Sequence, residues 1–248
     1  MKSLLTITIL IFLFNIGQEA VAKKKGDNQL SKKEMRKGWV LLFDGKTTDG
    51  WRRFGDTDIP AVWSVKNGTL MCRGVKKDEA KPGEKGFIIS DGQYSNFHLK
   101  IDWKISPGGN SGIFYLGREK GFNSIVQNAP EMQVLDNDLH PDAKKGKDGN
   151  RKAGSLYDLI PADPTTVKPV GEWNTAEIIV KNRKVTHIQN GKKVVEYVID
   201  SDEFNALVAN SKFPKMNPNW HHIPEKGHLC LQDHNDDVWF KNIKIRKL

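Results

Sequence analysis

The sequence predicts an all-β protein, a sandwich of two packed antiparallel sheets with one short helix. Three observations indicate this class: short β-prone runs recur along the chain, turn signals separate them at regular spacing, and one stretch has a convincing helical pattern. The 248 residues, 38% of them hydrophobic, suit one large globular domain and exclude a disordered or collagen-like chain.

The N-terminal residues have the composition of an export signal. Lys2 precedes an apolar run over residues 4–14, and small residues end the segment at Ala22. This run is too short to span a bilayer, which requires about 20 residues. We therefore predict a signal peptide over residues 1–22, a lysine-rich linker over 23–37 and a single domain over 38–248. The expected protein is exported, periplasmic or extracellular, and has no transmembrane segment.

The net charge bears on the class of binding partner, and the cysteine content bears on disulfide bonding. The formal net charge is +9, but basic residues cluster only in short lysine runs, so we expect no nucleic-acid partner. Cys72 and Cys230 both fall in β-like segments, where buried thiols are common. Two cysteines do not make a disulfide scaffold, and a bridge between these two stays an open alternative.

Turn signals and alternation define the strands of the first half. Asn67-Gly68 between two β-prone runs predicts a hairpin, because both central turn residues need positive φ. Strict alternation from Phe97 to Ile105 predicts a strand with one dry face. The strands expected in this half cover residues 39–43, 62–65, 70–73, 97–105 and 111–116.

The second half is expected to contain a three-strand meander, a helix and two final strands. The meander turns at Asn182-Arg183 and at Asn190-Gly191. Ser201 can cap a short helix over residues 202–210. The strands expected here cover residues 177–181, 185–189, 193–198, 227–232 and 238–246. Two strand-poor stretches remain, residues 136–173 and 211–226, and loops of such length in compact domains are usually functional or disordered.

The segment from Glu131 to Asn137 is the first candidate site. In a strand, a period of two places Glu131 and Gln133 on one face and Asp136 on the other. A carboxylate and an amide on a rigid element suit a hydroxylated ligand, although a half-exposed strand that simply meets water is the alternative. Ordinary glycosidases need two carboxylates, and this pattern does not indicate such a pair.

The turn at Asp233-His234 is the second candidate site. Histidine beside aspartate suits a general base or half of a metal site, because a carboxylate fixes the imidazole tautomer; a polar turn between two strands is the alternative. The sequence identifies no cofactor with certainty, and a divalent metal bound by residues from distant segments stays an open alternative. Residues 108–112 (GGNSG) lack the lysine and helix of a phosphate loop, so a turn with a close backbone approach is favoured.

Several segments, in this order and at this spacing, resemble the 3-keto-disaccharide hydrolase domain family over essentially the whole chain from Gly38. They are residues 39–46 (WVLLFDGK) with 50–51 (GW), 109–115 (GNSGIFY), 131–137 (EMQVLDN), 154–158 (GSLYD), 171–174 (GEWN), 233–234 (DH) and 238–243 (VWFKNI). The resemblance implies a concanavalin A-like jelly roll, exported by glycan-degrading bacteria, that acts on glycosides oxidised at the sugar C3. The site residues that it implies are Glu131, Gln133, Asp136, Asn137, Asp233 and His234, with Ser111 and Tyr157 nearby.

This chemistry needs a single base. A ketone at C3 acidifies the hydrogen on C2, so one base can remove it, expel the C1 substituent and allow water to add back. Our hypothesis gives His234 the base role, oriented by Asp233, with Glu131 as the next candidate and with Gln133 and Asn137 binding the keto and hydroxyl groups. The alternatives are a non-catalytic carbohydrate-binding module and a conventional endo-glycosidase of the same fold.

Overall fold

The computed structural model describes residues 26–248. The predicted signal peptide over residues 1–22 lies outside the described residues, as do residues 23–25 of the predicted linker. The described chain forms thirteen strands: β1 (Val40–Leu41), β2 (Trp51–Arg53), β3 (Trp63–Lys66), β4 (Thr69–Cys72), β5 (Ile88–Tyr94), β6 (Phe97–Ile105), β7 (Asn110–Gly117), β8 (Glu131–Leu135), β9 (Asn174–Lys181), β10 (Lys184–Gln189), β11 (Lys192–Val198), β12 (Gly227–Leu231) and β13 (Val238–Lys247).

Two antiparallel sheets account for all thirteen of these strands. Within residues 26–248, eight strands form the larger sheet in the order β11-β10-β9-β6-β13-β4-β3, with β1 also paired to β13, and five form the smaller sheet in the order β2-β5-β12-β7-β8. The predicted all-β sandwich of two antiparallel sheets is confirmed. In the smaller sheet β7 separates β12 from β8, so the end of β12 lies one strand away from the start of the Glu131 segment.

Three short α-helices accompany the strands in the described part of the chain: α1 (Lys32–Arg36), α2 (Asp202–Ala209) and α3 (Phe213–Met216). The predicted helix is α2, and the Ser201 hydroxyl accepts the N–H of Phe204 at its start, as expected. The other two are single turns, too short to show a helical period in sequence. No helix within residues 26–248 is long and apolar enough to cross a membrane.

Strand β6 shows how alternation builds the core. Its odd-numbered residues from Phe97 to Ile105 are at most 2% exposed, whereas the residues between them are partly exposed. Each large apolar side chain buried in this way contributes about 1.5–3 kcal/mol to stability.

The hydroxyl of Tyr115 on β7 connects the two sheets, since it lies 2.7 Å from His187 Nε2 on β10 and 2.7 Å from the Tyr197 hydroxyl on β11.

The predicted hairpin turns are confirmed by the backbone. Positive φ occurs at both central residues of each: 51° and 72° at Asn67-Gly68, 49° and 68° at Asn182-Arg183, and 50° and 81° at Asn190-Gly191. This conformation matches the right-handed twist of the flanking strands and so fixes their register. Cys72 lies on β4 of the larger sheet and Cys230 on β12 of the smaller sheet, and both are buried free thiols.

Part of the segment assigned to a linker packs on the domain. Ser31 and Glu34 form a capping box at the start of α1. Asn28 is 8% exposed and exchanges two hydrogen bonds with Asn242 of β13: its N–H donates to Oδ1 of Asn242 at 2.6 Å, and the N–H of Asn242 donates back at 2.8 Å. Residues 26–37 thus contact the larger sheet.

The loop after β8 returns along the outer edge of that strand. The N–H of Gly154 donates to the carbonyl of Gln133, the N–H of Gln133 donates to the carbonyl of Ser155, and the N–H of Tyr157 donates to the carbonyl of Glu131, at 2.9, 3.1 and 3.0 Å. Residues 154–157 therefore act as a further partner for β8. This pairing brings the Tyr157 side chain to the same region as Glu131.

Candidate active site

Strand β8 presents a carboxylate and an amide to a cavity. Glu131 and Gln133 line it, whereas Met132 and Val134 on the other face belong to the hydrophobic core. The cavity has a volume of about 270 Å³, near the lower limit of about 300 Å³ for ligand pockets, which suits a single sugar ring. Its other lining residues are Phe87, Asn110, Val126, Tyr157, Lys212, Gln232 and His234.

The Glu131 carboxyl is buried, and it accepts no hydrogen bond from the described residues around it. The residue is 5% exposed, and no residue in the described part of the chain donates a hydrogen bond to its side chain. Burial raises its pKa to about 8, while the nearby Lys212 ammonium acts in the opposite direction and Asp142 adds to the rise. A carboxyl group with this pKa can take up and release a proton near neutral pH.

A glycine makes room for this carboxyl group. Gly112 on β7 pairs directly with Gln133 on β8, and a Cβ at position 112 would lie 1.9 Å from Oε1 of Glu131. Any side chain there would therefore displace the carboxyl group. The close approach expected for residues 108–112 is thus an approach of the Gly112 backbone to the Glu131 side chain.

Lys212 and Tyr157 form a proton-donating chain at the cavity. Lys212 Nζ donates to the Tyr157 hydroxyl at 2.9 Å, and this hydroxyl donates to Oδ2 of Asp142 at 2.7 Å. Arg151 donates to Oδ1 of the same carboxylate at 3.1 Å. Burial lowers the pKa of Lys212, and the Arg151 charge acts in the same direction, whereas nearby carboxylates oppose it. The ammonium can therefore give up a proton more readily than an exposed lysine.

His234 lies at the rim of the cavity beside a second histidine and a carboxylate. Its side chain is 42% exposed, and its Nδ1 is 3.8 Å from Oδ2 of Asp236. The rings of His140 and His234 meet edge to face, with centroids 5.7 Å apart. Each of the three residues offers one donor atom, and the three atoms lie within 4.8 Å of one another. Two imidazoles and a carboxylate could hold a transition-metal ion.

Asp233 does not take the orienting role that the sequence suggested. Its carboxylate accepts the N–H groups of Gly86 and Asn235, both at 3.1 Å, and lies 3.4 Å from Lys85 Nζ. Consecutive residues of an extended segment project to opposite sides. The positive φ of 73° at Asn235 then turns the chain, so that Asp236 is the aspartate beside the imidazole.

Four of the predicted residues meet at the cavity, namely Glu131, Gln133, Tyr157 and His234, and the other four, which are Asp233 and the three described next, do not line it. The Ser111 hydroxyl is buried and donates to the carbonyl of Gln232 at 2.8 Å. The Asp136 carboxylate accepts three backbone N–H groups of nearby loops, at 2.7 to 3.2 Å. Asn137 accepts the N–H of Ala153 at 2.8 Å and lines a separate groove of about 800 Å³. These three side chains stabilise loops around the site.

Other residues of the site were missed by the sequence analysis. Lys212 lies in one strand-poor stretch, and His140 and Asp142 lie in the other, so the length of these loops was the only available signal. Asn110 and Gln232 stand at strand ends, where no periodicity distinguishes a ligand contact from a polar turn. Buried oxygens of both, Oδ1 of Asn110 and Oε1 of Gln232, have no hydrogen-bond partner in the described structure.

Comparison with known proteins gives consistent results. The family model of the 3-keto-alpha-glucoside-1,2-lyase-like domain matches residues 38–246. A 3-keto-disaccharide hydrolase from Bacteroides thetaiotaomicron is 42% identical over 228 aligned positions, which cover 85% of this chain and 79% of that protein. A candidate glycosyl hydrolase from Parabacteroides distasonis superposes with a TM-score of 0.79 at 32% identity, covering 90% of this chain and 100% of the other. A second one from the same organism gives 0.63 at 27% identity, covering 85% and 99%.

Proposed function

Because this chain belongs to the family of 3-keto-alpha-glucoside-1,2-lyase-like domains and is a carbohydrate-acting hydrolase, we propose that it cleaves glycosides whose sugar is already oxidised at C3. One observation carries this proposal: Glu131 is the one carboxylate among the described residues that line the cavity. A conventional glycosidase needs two carboxylates about 5 to 9.5 Å apart. Elimination next to a ketone needs one base.

The proposed reaction has two balanced steps. In the first, the base takes the proton from C2, the C–H electron pair passes into an enolate at C3, and the C1–O bond breaks as a C1=C2 double bond forms. The departing oxygen takes a proton from an acid. In the second step, water adds to C1 and a proton returns to C2. The sum is hydrolysis to a free 3-keto sugar and an alcohol.

We assign the base role to Glu131. Its carboxyl is buried at the cavity, is not tied up by hydrogen bonds, and has a pKa raised to about 8 by burial, so its ionised form is a stronger base than an ordinary carboxylate. A positioned base contributes about 10²- to 10⁴-fold to the rate. This assignment reverses the order of the sequence hypothesis, because His234 is half exposed at the rim.

Two further roles follow from the contacts of the cavity. Lys212, supported by the Tyr157 hydroxyl, is the proposed acid for the departing oxygen. Asn110 and Gln232 each present a buried oxygen without a partner, and buried polar atoms are normally hydrogen-bonded. Sugar hydroxyl groups would satisfy both. The cavity is thus suited to a hydroxylated ring, with base and acid both in its wall.

The test compares 4-nitrophenyl α-glucoside with its 3-keto form. We expect nitrophenol release from the 3-keto substrate alone, and in D₂O we expect deuterium at C2 of the sugar product, because the proton returns from solvent. The Glu131→Gln variant should lose about 10²-fold or more of this activity. Equal release from the unoxidised glucoside, or a product without deuterium at C2, would contradict the proposal. Binding of the sugar without any release would indicate a carbohydrate-binding module.

We also propose that the mature protein is exported. The composition of residues 1–22, with an apolar run that ends in small residues, supports this. Expression of the full chain in a Gram-negative host should give a periplasmic protein whose N-terminal sequence starts at Lys23. A cytoplasmic product that retains residues 1–22 would contradict export.

A further inference from the structure

We propose that His140, His234 and Asp236 bind a divalent transition-metal ion at the rim of the Glu131 cavity, and that this ion binds the 3-keto oxygen of the substrate. The first part concerns metal binding alone and stands by itself. The second part rests on the proposed function, because it requires a 3-keto sugar in the cavity.

The distances between the donor atoms favour this site. The three atoms lie within 4.8 Å of one another, and His234 Nδ1 is 3.8 Å from Oδ2 of Asp236. Metal–ligand bonds of about 2.0–2.2 Å at tetrahedral angles place donor atoms roughly 3.3–3.6 Å apart. Small side-chain rotations at this partly exposed rim would therefore close the site.

An unsatisfied nitrogen is the second observation. Nδ1 of His234 is buried, although the ring itself is partly exposed, and it has no hydrogen-bond partner among the described residues. A metal ion in front of this nitrogen would satisfy it. The Asp236 carboxylate is also held in place, because the N–H of Asn110 donates to its Oδ2 at 3.0 Å. Hydrogen bonds of this kind orient the ligands in known metal sites.

The third ligand changes its bonding when the ion binds. Nδ1 of His140 accepts the N–H of Asp142 at 3.1 Å, so in the free protein the ring carries its proton on Nε2. Coordination through Nε2 moves this proton to Nδ1, and coordination through Nδ1 replaces the hydrogen bond directly. Either way the Asp142 N–H loses its acceptor, which makes this amide a reporter of metal binding.

The donor set selects the class of ion and the position of the substrate. Two imidazoles and one carboxylate favour Mn²⁺, Fe²⁺, Co²⁺, Ni²⁺ or Zn²⁺ over Ca²⁺ and Mg²⁺, which prefer all-oxygen sites. Three protein ligands leave coordination positions open, as catalytic sites do. Because His234 lines the same cavity as Glu131, an ion there could bind the C3 oxygen while Glu131 reaches C2, and it would stabilise the enolate as a Lewis acid.

The binding test uses the mature chain freed of metal by EDTA and dialysis. Titration with Mn²⁺ and with Co²⁺, followed by equilibrium dialysis and elemental analysis, should give one ion per chain. We expect about 10²-fold or more weaker binding in His140→Ala and in Asp236→Asn. The Asp236→Asn change keeps an oxygen that can accept the Asn110 N–H, so this variant should fold even if His140→Ala does not. His222→Ala, with an exposed ring elsewhere, should bind as the parent does.

Hydrogen exchange supplies an independent readout, and turnover separates the two parts of the proposal. The Asp142 amide should exchange faster once Mn²⁺ is bound. Less than one ion per ten chains, or equal binding in parent and variants, would overturn the site. An ion that binds while EDTA leaves turnover of the 3-keto glucoside unchanged would overturn its catalytic role. An ion that binds while no 3-keto substrate is cleaved would overturn the proposed function and leave the metal site standing.

Discussion

Replacing Glu131 with glutamine separates the contribution of this residue to the reaction rate from its effect on the stability of the fold. Burial raises the pKa of its carboxyl from 4.5 to about 8, so between these pH values the folded chain holds a proton that the unfolded chain has lost. The stability linked to this proton is fully present below pH 4.5 and is lost as pH rises through 8. Glutamine has the same shape and no charge, so the stability of the variant should not fall in this way as the pH rises.

The expected size follows from the pKa. The rise from 4.5 to about 8 corresponds to at most roughly 4 to 5 kcal/mol, at about 1.4 kcal/mol for each tenfold change. We therefore expect Glu131→Gln to match the parent in free energy of unfolding near pH 5, and to exceed it by an increasing amount, about 1 to 4 kcal/mol, by pH 9. Turnover of the 3-keto glucoside should fall by about 10²-fold or more.

Urea unfolding at pH 5, 7 and 9, together with steady-state kinetics, measures both effects. Asp138→Asn is the matched control: its side chain is exposed in the neighbouring loop, so neither the pH dependence nor the turnover should change. If the stability difference for Glu131→Gln were the same at pH 5 and pH 9, the carboxyl would not be desolvated as described. If turnover persisted, Glu131 would not be the base.

Three further substitutions test other contacts. Gly112→Ala places a methyl group where the Glu131 carboxyl lies, so turnover should fall about 10-fold or more and the free energy of unfolding by about 1–3 kcal/mol, measured by kinetics and urea unfolding. Lys212→Met removes the proposed acid, so kcat for an alkyl 3-keto glucoside should fall about 10²-fold. The kcat for the nitrophenyl substrate should fall at most about 10-fold, because nitrophenolate leaves without taking up a proton. Tyr115→Phe leaves His187 without its hydroxyl partner and should cost about 1–3 kcal/mol in urea unfolding with unchanged turnover per folded molecule.

Each of these expectations has a clear contrary result. Full turnover in Gly112→Ala would mean that the carboxyl position does not matter to the reaction. An equal loss with both leaving groups would remove the acid role from Lys212, and the same loss in Lys215→Met, an exposed lysine of α3, would point to a general effect of charge. A Tyr115→Phe variant that is as stable as the parent would show that the contact between the two sheets contributes nothing measurable.

Local rules predicted most of the fold but only part of the site. The hairpin at Asn67-Gly68 and the dry face of β6 depend on steric limits and on a period of two, both of which can be read from neighbouring residues. The side-by-side position of Glu131 and Gln133 follows from the same period. Their approach to His234 depends on β7 lying between β8 and β12, a tertiary arrangement that only the family resemblance suggested.

The rest could not be predicted because it depends on irregular backbone. Lys212 reaches the cavity from a loop without periodicity, and no pattern selects it among the lysines of this chain. From the sequence alone, Asp233 and Asp236 are equally plausible as the carboxylate that lies beside the His234 ring. The left-handed conformation of Asn235 decides between them, and asparagine adopts this conformation only more often than other residues, not as a rule.

The segment from residue 154 to 157 that runs along β8 also bears on aggregation. Without it, β8 would be the outermost strand of the smaller sheet, with a row of free N–H and C=O groups, and such open edges are templates for association with other chains. The three backbone bonds that this segment makes to β8 occupy the edge. Shortening the long loop in order to widen the cavity would therefore leave the edge of β8 unpaired and prone to association with other chains. A variant of that kind should carry a charged residue or a proline on β8 in order to stay monodisperse.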